Sequence, residues 1–276
     1  MFNKLRSLFT TGTDDADVIE APVARVPHGQ RVYAVGDIHG RLDLFDQLLQ
    51  RIEQDDAARG PADTTLILLG DLVDRGPESR GVVERAMALA DGAGATGRKV
   101  RLLAGNHEEM LLSSLDDEEV LRHFLRHGGK ETLFSYGLLP EEYSRSTLDS
   151  LRERMAVLVP GDHLAFFRSM EDRIVIGDYL FVHAGIRPGI AIEDQTTSEL
   201  RWIRKDFLDH PDWHGHMVVH GHTITEEPAI LPNRIGIDTG AYASGKLTAI
   251  GLEGDRRWLL GAHIPSETPL PSDLAG

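Results

Sequence analysis

Five short segments of this chain place metal-binding or phosphate-binding residue types directly after strand-like apolar runs. They are Gly36-Asp37-Ile38-His39-Gly40, Gly70-Asp71-Leu72-Val73-Asp74-Arg75-Gly76, Gly105-Asn106-His107-Glu108, His183-Ala184-Gly185 and His220-Gly221-His222. The first three runs, 31–35, 65–69 and 99–103, alternate with helical patterns, which predicts a parallel sheet with crossover helices. Because ligands bind beyond the carboxyl ends of such strands, we expect the five segments to form one active site.

The second half of the chain has a different pattern. Short strand-like runs at 174–176 and 179–182 flank Gly177-Asp178, a two-residue hairpin signal, and Glu253-Gly254-Asp255 marks a last hairpin turn. A parallel half followed by a hairpin-rich half predicts an α/β fold of two packed mixed sheets with helices outside.

Domain organisation follows from shifts in composition along the chain. Residues 1–29 are acidic and lack periodicity, which predicts a disordered leader before a catalytic domain over 30–264. Within that domain, 109–172 are predicted to form a helical cap or insertion. Residues 265–276 are predicted to be a loose tail.

Composition narrows the possible functions. The chain has 276 residues, no cysteine and a net charge of −15, so disulfides and thiolate zinc sites are excluded and nucleic acid is a poor partner. No run approaches the roughly 20 apolar residues of a membrane span, and the N-terminal apolar run is too short for a secretory signal. We therefore predict a cytoplasmic protein with no stable membrane insertion. A phosphorylated substrate remains compatible, because bound divalent cations can make a cleft locally positive.

The motif set resembles the calcineurin-like metallophosphoesterases, and among them the bacterial serine/threonine phosphatases of the phosphoprotein phosphatase branch. Its most specific pieces are Asp74-Arg75-Gly76 and Gly105-Asn106-His107-Glu108, with further likeness at Trp202-Ile203-Arg204 and Asp238-Thr239-Gly240. The resemblance covers about 31–260. It implies a four-layer αββα sandwich built from two mixed sheets flanked by helices.

The oxygen and nitrogen ligands suit two divalent metal ions about 3.5–4 Å apart. Asp37 and His39 are two residues apart, so in an extended stretch both side chains would face one ion. Asp71 is predicted to be the bridging carboxylate. Nitrogen and oxygen donors do not select one metal, so manganese is expected in assays, with iron or zinc also compatible.

The second ion's ligands come from the resemblance, which implies Asn106, His183 and His222. His220 and His222 could both face the site if their strand continued. The family pattern favours His222, with His220 as a neighbouring strand residue.

Catalytic roles are predicted for four further residues. His107 follows Asn106 and is expected to protonate the leaving oxygen, with Asp74 holding its other ring nitrogen. Arg75 and Arg204 resemble the phosphate clamps of the family. The alternative for Arg204 is an arginine on the surface of a helix, and the phosphate-clamp role is favoured. Glu108 is expected to brace its loop through hydrogen bonds.

These predictions describe a dinuclear-metal-dependent phosphomonoester hydrolase in which a metal-bridging water attacks phosphorus in line. Asp37-Ile38-His39, Asp74-Arg75 and Glu108 favour a serine/threonine protein phosphatase acting on phosphorylated proteins or peptides, or on small phosphoesters. One alternative is a symmetrical diadenosine tetraphosphate hydrolase. Another is a phosphate-binding scaffold without catalytic activity. The oligomeric state does not follow from the sequence.

Overall fold

The computed structural model describes residues 23–264. Its strands are β1 Gln30–Val35, β2 Asp63–Leu68, β3 Lys99–Leu102, β4 Arg173–Ile176, β5 Tyr179–Val182, β6 Met217–His220, β7 Ala229–Ile230, β8 Arg234–Gly236, β9 Lys246–Glu253 and β10 Arg256–His263. Its α-helices are α1 Leu42–Ala58, α2 Ser79–Thr96, α3 Asn106–Ser113, α4 Glu118–Phe124, α5 Lys130–Ser135, α6 Pro140–Arg145, α7 Leu148–Leu158, α8 Gly161–Arg168, α9 Thr197–Trp202, α10 Lys205–Leu208 and α11 Ala241–Ser244. A π-helical turn covers Leu125–Gly129, and a 3-10 turn covers Ile192–Asp194.

The strands form two mixed sheets. The first has the order β10-β9-β1-β2-β3, and the second has the order β4-β5-β6-β8-β7. Strands β1, β2 and β3 are parallel, and β5, β6 and β8 are parallel, while the hairpin partners run antiparallel. The predicted α/β fold of two mixed sheets flanked by helices is therefore confirmed.

The C-terminal hairpin joins the first sheet, although the sequence pattern groups it with the hairpin-rich half. Strand β9 pairs with β1, with Val32 opposite Leu252. Six consecutive residues of β9, 247–252, are buried, as expected of a strand covered on both faces. Local patterns do not reveal such a long-range pairing, because it depends on which partner covers those faces.

Alternation along β1 shows how the layers pack. Val32 and Ala34 face the second sheet and belong to the apolar layer between the two sheets. Tyr33 and Val35 point the other way and pack in the cluster that includes Phe45 of α1. Alternate side chains of β1 therefore pack in two different cores, and the residues that follow its carboxyl end are available for the site.

Residues near the ends of the described range are packed against the fold. Residues 1–22 of the predicted leader and the predicted tail 265–276 lie outside the described residues. In the remaining leader segment, Ala24 and Val26 are buried, and the Val26 N–H donates to the Gly254 carbonyl at 2.9 Å. Within 23–264, no helix has the length and apolar character required to cross a membrane.

Candidate metal and phosphate site

The five motif segments converge at one edge of the paired sheets. The first three follow the carboxyl ends of β1, β2 and β3, and the other two follow β5 and β6. The His39 N–H donates to the Asp71 carbonyl at 2.9 Å, which ties the first loop to the second. The Gly221 N–H donates to the His183 carbonyl at 2.8 Å, which ties the last two. Residues far apart in sequence are thereby held in one buried pocket.

Asp71 lies at the centre of this pocket. Its Oδ2 atom is 3.5 Å from His39 Nε2 and 3.8 Å from His107 Nε2, whereas its Oδ1 atom is 3.5 Å from His183 Nε2. Two groups of side chains could each hold an ion: His39, Asp71 and His107, and Asp71, His183 and His222. Asp71 is common to both groups, so one carboxylate could bridge two ions.

Backbone carbonyls orient two of the histidines. His39 Nδ1 is 2.8 Å from the Val73 carbonyl, and His183 Nδ1 is 2.8 Å from the Leu69 carbonyl. Each Nδ1 must carry the proton to donate to a carbonyl, so each Nε2 presents its lone pair toward Asp71. Burial lowers the pKa of both imidazoles and favours the neutral form that binds metals.

Asn106 and His222 complete the second group. The Asn106 Oδ1 atom lies 3.0 Å from His183 Nε2 and 2.8 Å from His222 Nδ1. The buried His222 Nε2 atom has no hydrogen-bond partner among residues 23–264, as expected of a nitrogen reserved for a cation. The buried His220 Nε2 atom is likewise without a partner among these residues, but its ring packs against Phe207, with centroids 5.1 Å apart, and His220 belongs to neither group.

Asp37 also lies outside the two groups. Its Oδ2 atom accepts the His222 N–H at 3.0 Å. Burial and the nearby carboxylates of Asp238 and Asp71 raise its pKa. Buried carboxylates that repel one another need cations to compensate their charge. The donor set therefore fits a pair of divalent ions, with Asp37 at its edge.

Backbone strain is concentrated in this pocket. Within the described residues, the non-glycine positions with positive φ are His39 (47°), Asp71 (50°), Asp74 (73°), Arg75 (68°) and His222 (63°). All five are predicted site residues, and such strain clusters at functional sites. The left-handed conformation of His39 also means that Asp37 and His39 do not lie in a continuous extended stretch.

His107 and Asp74 form a buried pair. His107 Nδ1 is 2.6 Å from Asp74 Oδ2, and the Thr132 hydroxyl donates to Asp74 Oδ1 at 2.6 Å. Burial alone would lower the pKa of His107, but the Asp71 charge and the Asp74 hydrogen bond outweigh it and raise that pKa. The pair can therefore hold a proton on an imidazole that faces Asp71.

Glu108 connects the second and third loops. Its carboxylate accepts the backbone N–H groups of Asp71 at 2.9 Å, Leu72 at 2.7 Å and Gly105 at 2.8 Å. Burial, with the Asp71 charge, raises its pKa to about 7. These contacts are of the kind expected for a residue that braces its loop.

Two arginines lie at the site. Arg75 Nη1 is 3.1 Å from His39 Nε2 and Nη2 is 3.1 Å from His107 Nε2, while its guanidinium carbon is 4.8 Å from the Tyr242 ring centroid. Arg204 is exposed in the break between α9 and α10, and its charge helps lower the pKa of His222, after burial and His183. The Arg75 guanidinium therefore lies beside His39, a candidate metal ligand.

Two residues of the helical segment after α3 support this arrangement and were not predicted. Thr132 holds Asp74, and the Gly128 carbonyl accepts the Arg75 N–H at 3.1 Å. The Gly128-Gly129 pair inside a helical pattern was the available signal, because paired glycines mark breaks or close backbone approaches. Here both glycines lie in the π-helical turn, where Gly128 has φ +106°.

We expect Gly128→Ala to lower kcat/KM by about 10²-fold, because a methyl group there would clash with the Arg75 backbone and displace its guanidinium. Gly137→Ala is the matched control, since Gly137 has φ +100° with no atom within 4 Å of an added Cβ among residues 23–264. Both variants carry a similar backbone penalty. Equal activity in the two purified variants would contradict the prediction.

The sequence matches that of known proteins over most of its length. The profile of the calcineurin-like phosphoesterase family matches residues 30–234. A symmetrical bis(5'-nucleosyl)-tetraphosphatase from Janthinobacterium sp. (strain Marseille) is 30% identical over 264 residues, covering 80% of this chain and 92% of that protein. An asymmetrical bis(5'-nucleosyl)-tetraphosphatase from Anoxybacillus flavithermus is 27% identical over 233 residues, covering 78% and 88%.

Solved structures show the same fold at lower identity. A candidate diadenosine tetraphosphatase superposes with a TM-score of 0.57 at 21% identity, covering 87% of this chain and 98% of that one. A cold-active protein-tyrosine phosphatase from a psychrophilic Shewanella gives a TM-score of 0.54 at 21% identity, covering 86% and 84%. With the family profile spanning most of the described residues, this chain belongs to the calcineurin-like phosphoesterases.

Proposed function

We propose that this protein is a metal-dependent hydrolase that cleaves dinucleoside tetraphosphates symmetrically, so that diadenosine tetraphosphate and one water give two molecules of ADP. The observation that carries the proposal is the 30% identity to a symmetrical bis(5'-nucleosyl)-tetraphosphatase across 92% of that protein. This reverses the order of preference from the sequence motifs, which placed a serine/threonine phosphatase first. The names of the relatives favour the diadenosine tetraphosphate hydrolase, which the sequence motifs placed second.

The buried donor set would hold two divalent ions through six residues. These are Asp37, His39, Asp71, Asn106, His183 and His222. Such ions would supply Lewis-acid catalysis and activate water for attack on phosphorus. We propose manganese as the assay metal, because the mixed nitrogen and oxygen donors accept it without selecting it.

Where a leaving group needs a proton, His107 would supply it. Asp74 accepts the Nδ1 proton at 2.6 Å and so orients the ring with Nε2 toward Asp71. Asp71 and Asp74 together raise the pKa of His107, against the effect of burial, so the imidazole takes up a proton more readily than a free histidine does. His107 is thus the proposed general acid, and Asp74 is its positioning residue.

Arg75 and Arg204 are the proposed phosphate contacts. A guanidinium can donate two parallel hydrogen bonds to phosphate oxygens as negative charge builds there. Arg75 Nη1 is now 3.1 Å from His39 Nε2, the nitrogen that would bind an ion. Use of that lone pair by a cation would free Arg75 to donate to the substrate instead.

A competition assay tests the proposed substrate. When diadenosine tetraphosphate and a phosphoserine peptide compete for the manganese-loaded protein, we expect the higher kcat/KM for the dinucleotide. ADP should be the only nucleotide product, and chelation should abolish turnover. A higher kcat/KM for the phosphopeptide would support the protein phosphatase alternative, whereas AMP and ATP as products would indicate asymmetrical cleavage.

A further inference from the structure

A surface cavity of about 310 Å³ lies between α3, α4 and α9. Trp202 and His123 provide its aromatic lining, with ring centroids 6.4 Å apart. Met110 and Val120 add apolar surface, and the side chain of Glu109 lies at the cavity as well. Its size falls at the lower end of the range of small-molecule sites, and aromatic walls with few polar groups are typical of them.

Two of the lining residues are close in sequence to the proposed catalytic groups. Glu109 follows His107 by two residues on α3, and Trp202 precedes Arg204 by two residues at the end of α9. Consecutive Cα atoms are about 3.8 Å apart, so the Cα atoms of each pair are separated by less than about 8 Å. The backbone that lines the cavity is therefore within about the length of one nucleotide of the backbone that carries His107 and Arg204.

A second connection runs through the π-helical turn. The ring of His127 lies 4.0 Å from that of His123, centroid to centroid. The next residue, Gly128, accepts the Arg75 N–H with its carbonyl at 3.1 Å. His127 is therefore adjacent in the chain to the residue that supports Arg75, and Trp202 is two residues before Arg204.

We propose that this cavity binds a nucleobase of the substrate, stacked on Trp202 and His123, while the polyphosphate lies at the metal site. The assignment rests on the proposed function, which supplies a nucleotide. Aromatic rings stack on the face of any base. Glu109 and Glu119 also line the cavity, in ion pairs with Arg201 at 3.2 Å and with Arg122 at 3.4 Å, and carboxylate oxygens can accept hydrogen bonds from exocyclic amino groups.

The test compares two ligands that differ only by the nucleoside and that the enzyme cannot cleave between their phosphorus atoms. They are adenosine 5'-(α,β-methylene)diphosphate and methylenediphosphonate, titrated calorimetrically into the manganese-loaded enzyme. We expect the nucleotide to bind at least about tenfold more tightly, as base stacking on aromatic side chains predicts. Trp202→Leu and His123→Ala should each bring the ratio of the two Kd values toward one without changing the Kd of methylenediphosphonate.

Two further variants separate base binding from damage to the fold. Trp202→Phe keeps an aromatic face and should retain part of the ratio. His28→Ala, an exposed histidine far along the chain from the cavity, should leave it unchanged. A Kd ratio near one in the unaltered protein would overturn the proposal, as would a ratio that neither Trp202→Leu nor His123→Ala changes. The proposal would also fail if these substitutions weakened the binding of a phosphopeptide but not that of the nucleotide.

The outcome is distinguishable from failure of the proposed function. If diadenosine tetraphosphate is not cleaved but the Kd ratio depends on Trp202 and His123, the base site stands and the assigned substrate is wrong. If the dinucleotide is cleaved but the ratio is near one in every protein, the substrate assignment stands and the base site is wrong.

Discussion

Asp71→Asn is expected to lower kcat by about 10³-fold or more, with either a dinucleotide or an aryl phosphate as substrate. Its carboxylate is shared by both candidate ion groups, with Oδ2 toward His39 and Oδ1 toward His183. A metal ion contributes several kcal/mol of transition-state stabilisation, and each 1.36 kcal/mol corresponds to a factor of ten. The measurements are steady-state kinetics and the metal content of the same preparation.

The substitution preserves shape, so it isolates charge and ligation. Asparagine can still accept a hydrogen bond from the backbone N–H of His107, which donates to Asp71 Oδ1 at 3.0 Å. The fold should therefore survive, while metal content falls below that of the unaltered protein. Asp149→Asn, at an exposed carboxylate in a surface ion pair with Arg152, is the control and should retain full activity. Full metal content and normal kcat in Asp71→Asn would remove the bridging role.

Much of the fold followed from patterns that are local in sequence. The expected hairpin at Gly177-Asp178 joins β4 to β5, and Gly254 turns the chain between β9 and β10 with φ +57°. The first three strands were predicted to within two residues at each end. Their ligands come together because the carboxyl ends of parallel strands meet at one edge, a rule that needs no contact information.

Other features depend on contacts between distant segments and left little trace in the sequence. The left-handed backbone at Asp71 and Asp74 is sustained by neighbours, including Glu108, which accepts the Asp71 N–H at 2.9 Å, and Thr132, which accepts the Asp74 N–H at 2.8 Å. Strain of this kind costs energy that the surrounding structure must compensate. A motif can identify the residues concerned but not the conformation that aims them.

The predicted helical insertion illustrates the same limit. Its composition indicated helices, and helices α4 to α8 fill most of 109–172. Its contact with the site, however, depends on Gly128 reaching Arg75 and on Thr132 reaching Asp74. Both contacts join positions more than 50 residues apart. We infer that this segment acts on the site as a support, beyond any effect on substrate access.

His107→Gln is expected to lower kcat by about 10² to 10⁴-fold for substrates whose leaving group needs a proton. Glutamine can keep a hydrogen bond to Asp74, but it cannot deliver a proton as an imidazolium does. The effect should therefore depend on the leaving group. It should be large for an alkyl phosphate such as a phosphoserine peptide and much smaller for 4-nitrophenyl phosphate, whose phenolate leaves without protonation.

This dependence distinguishes a general acid from a structural residue. Loss of structure would reduce turnover of both substrates by similar factors, whereas loss of an acid reduces only the one that needs the proton. Asp74→Asn should produce the same pattern at smaller size, because it removes the charge that holds the Nδ1 proton while leaving His107 in place. His163→Gln, a buried histidine bonded to Tyr136 instead, is the control and should show no such pattern. Equal losses for both substrates in His107→Gln would contradict the assigned role. A good leaving group makes proton delivery by His107 unnecessary, but it does not compensate for the loss of any other contribution of His107.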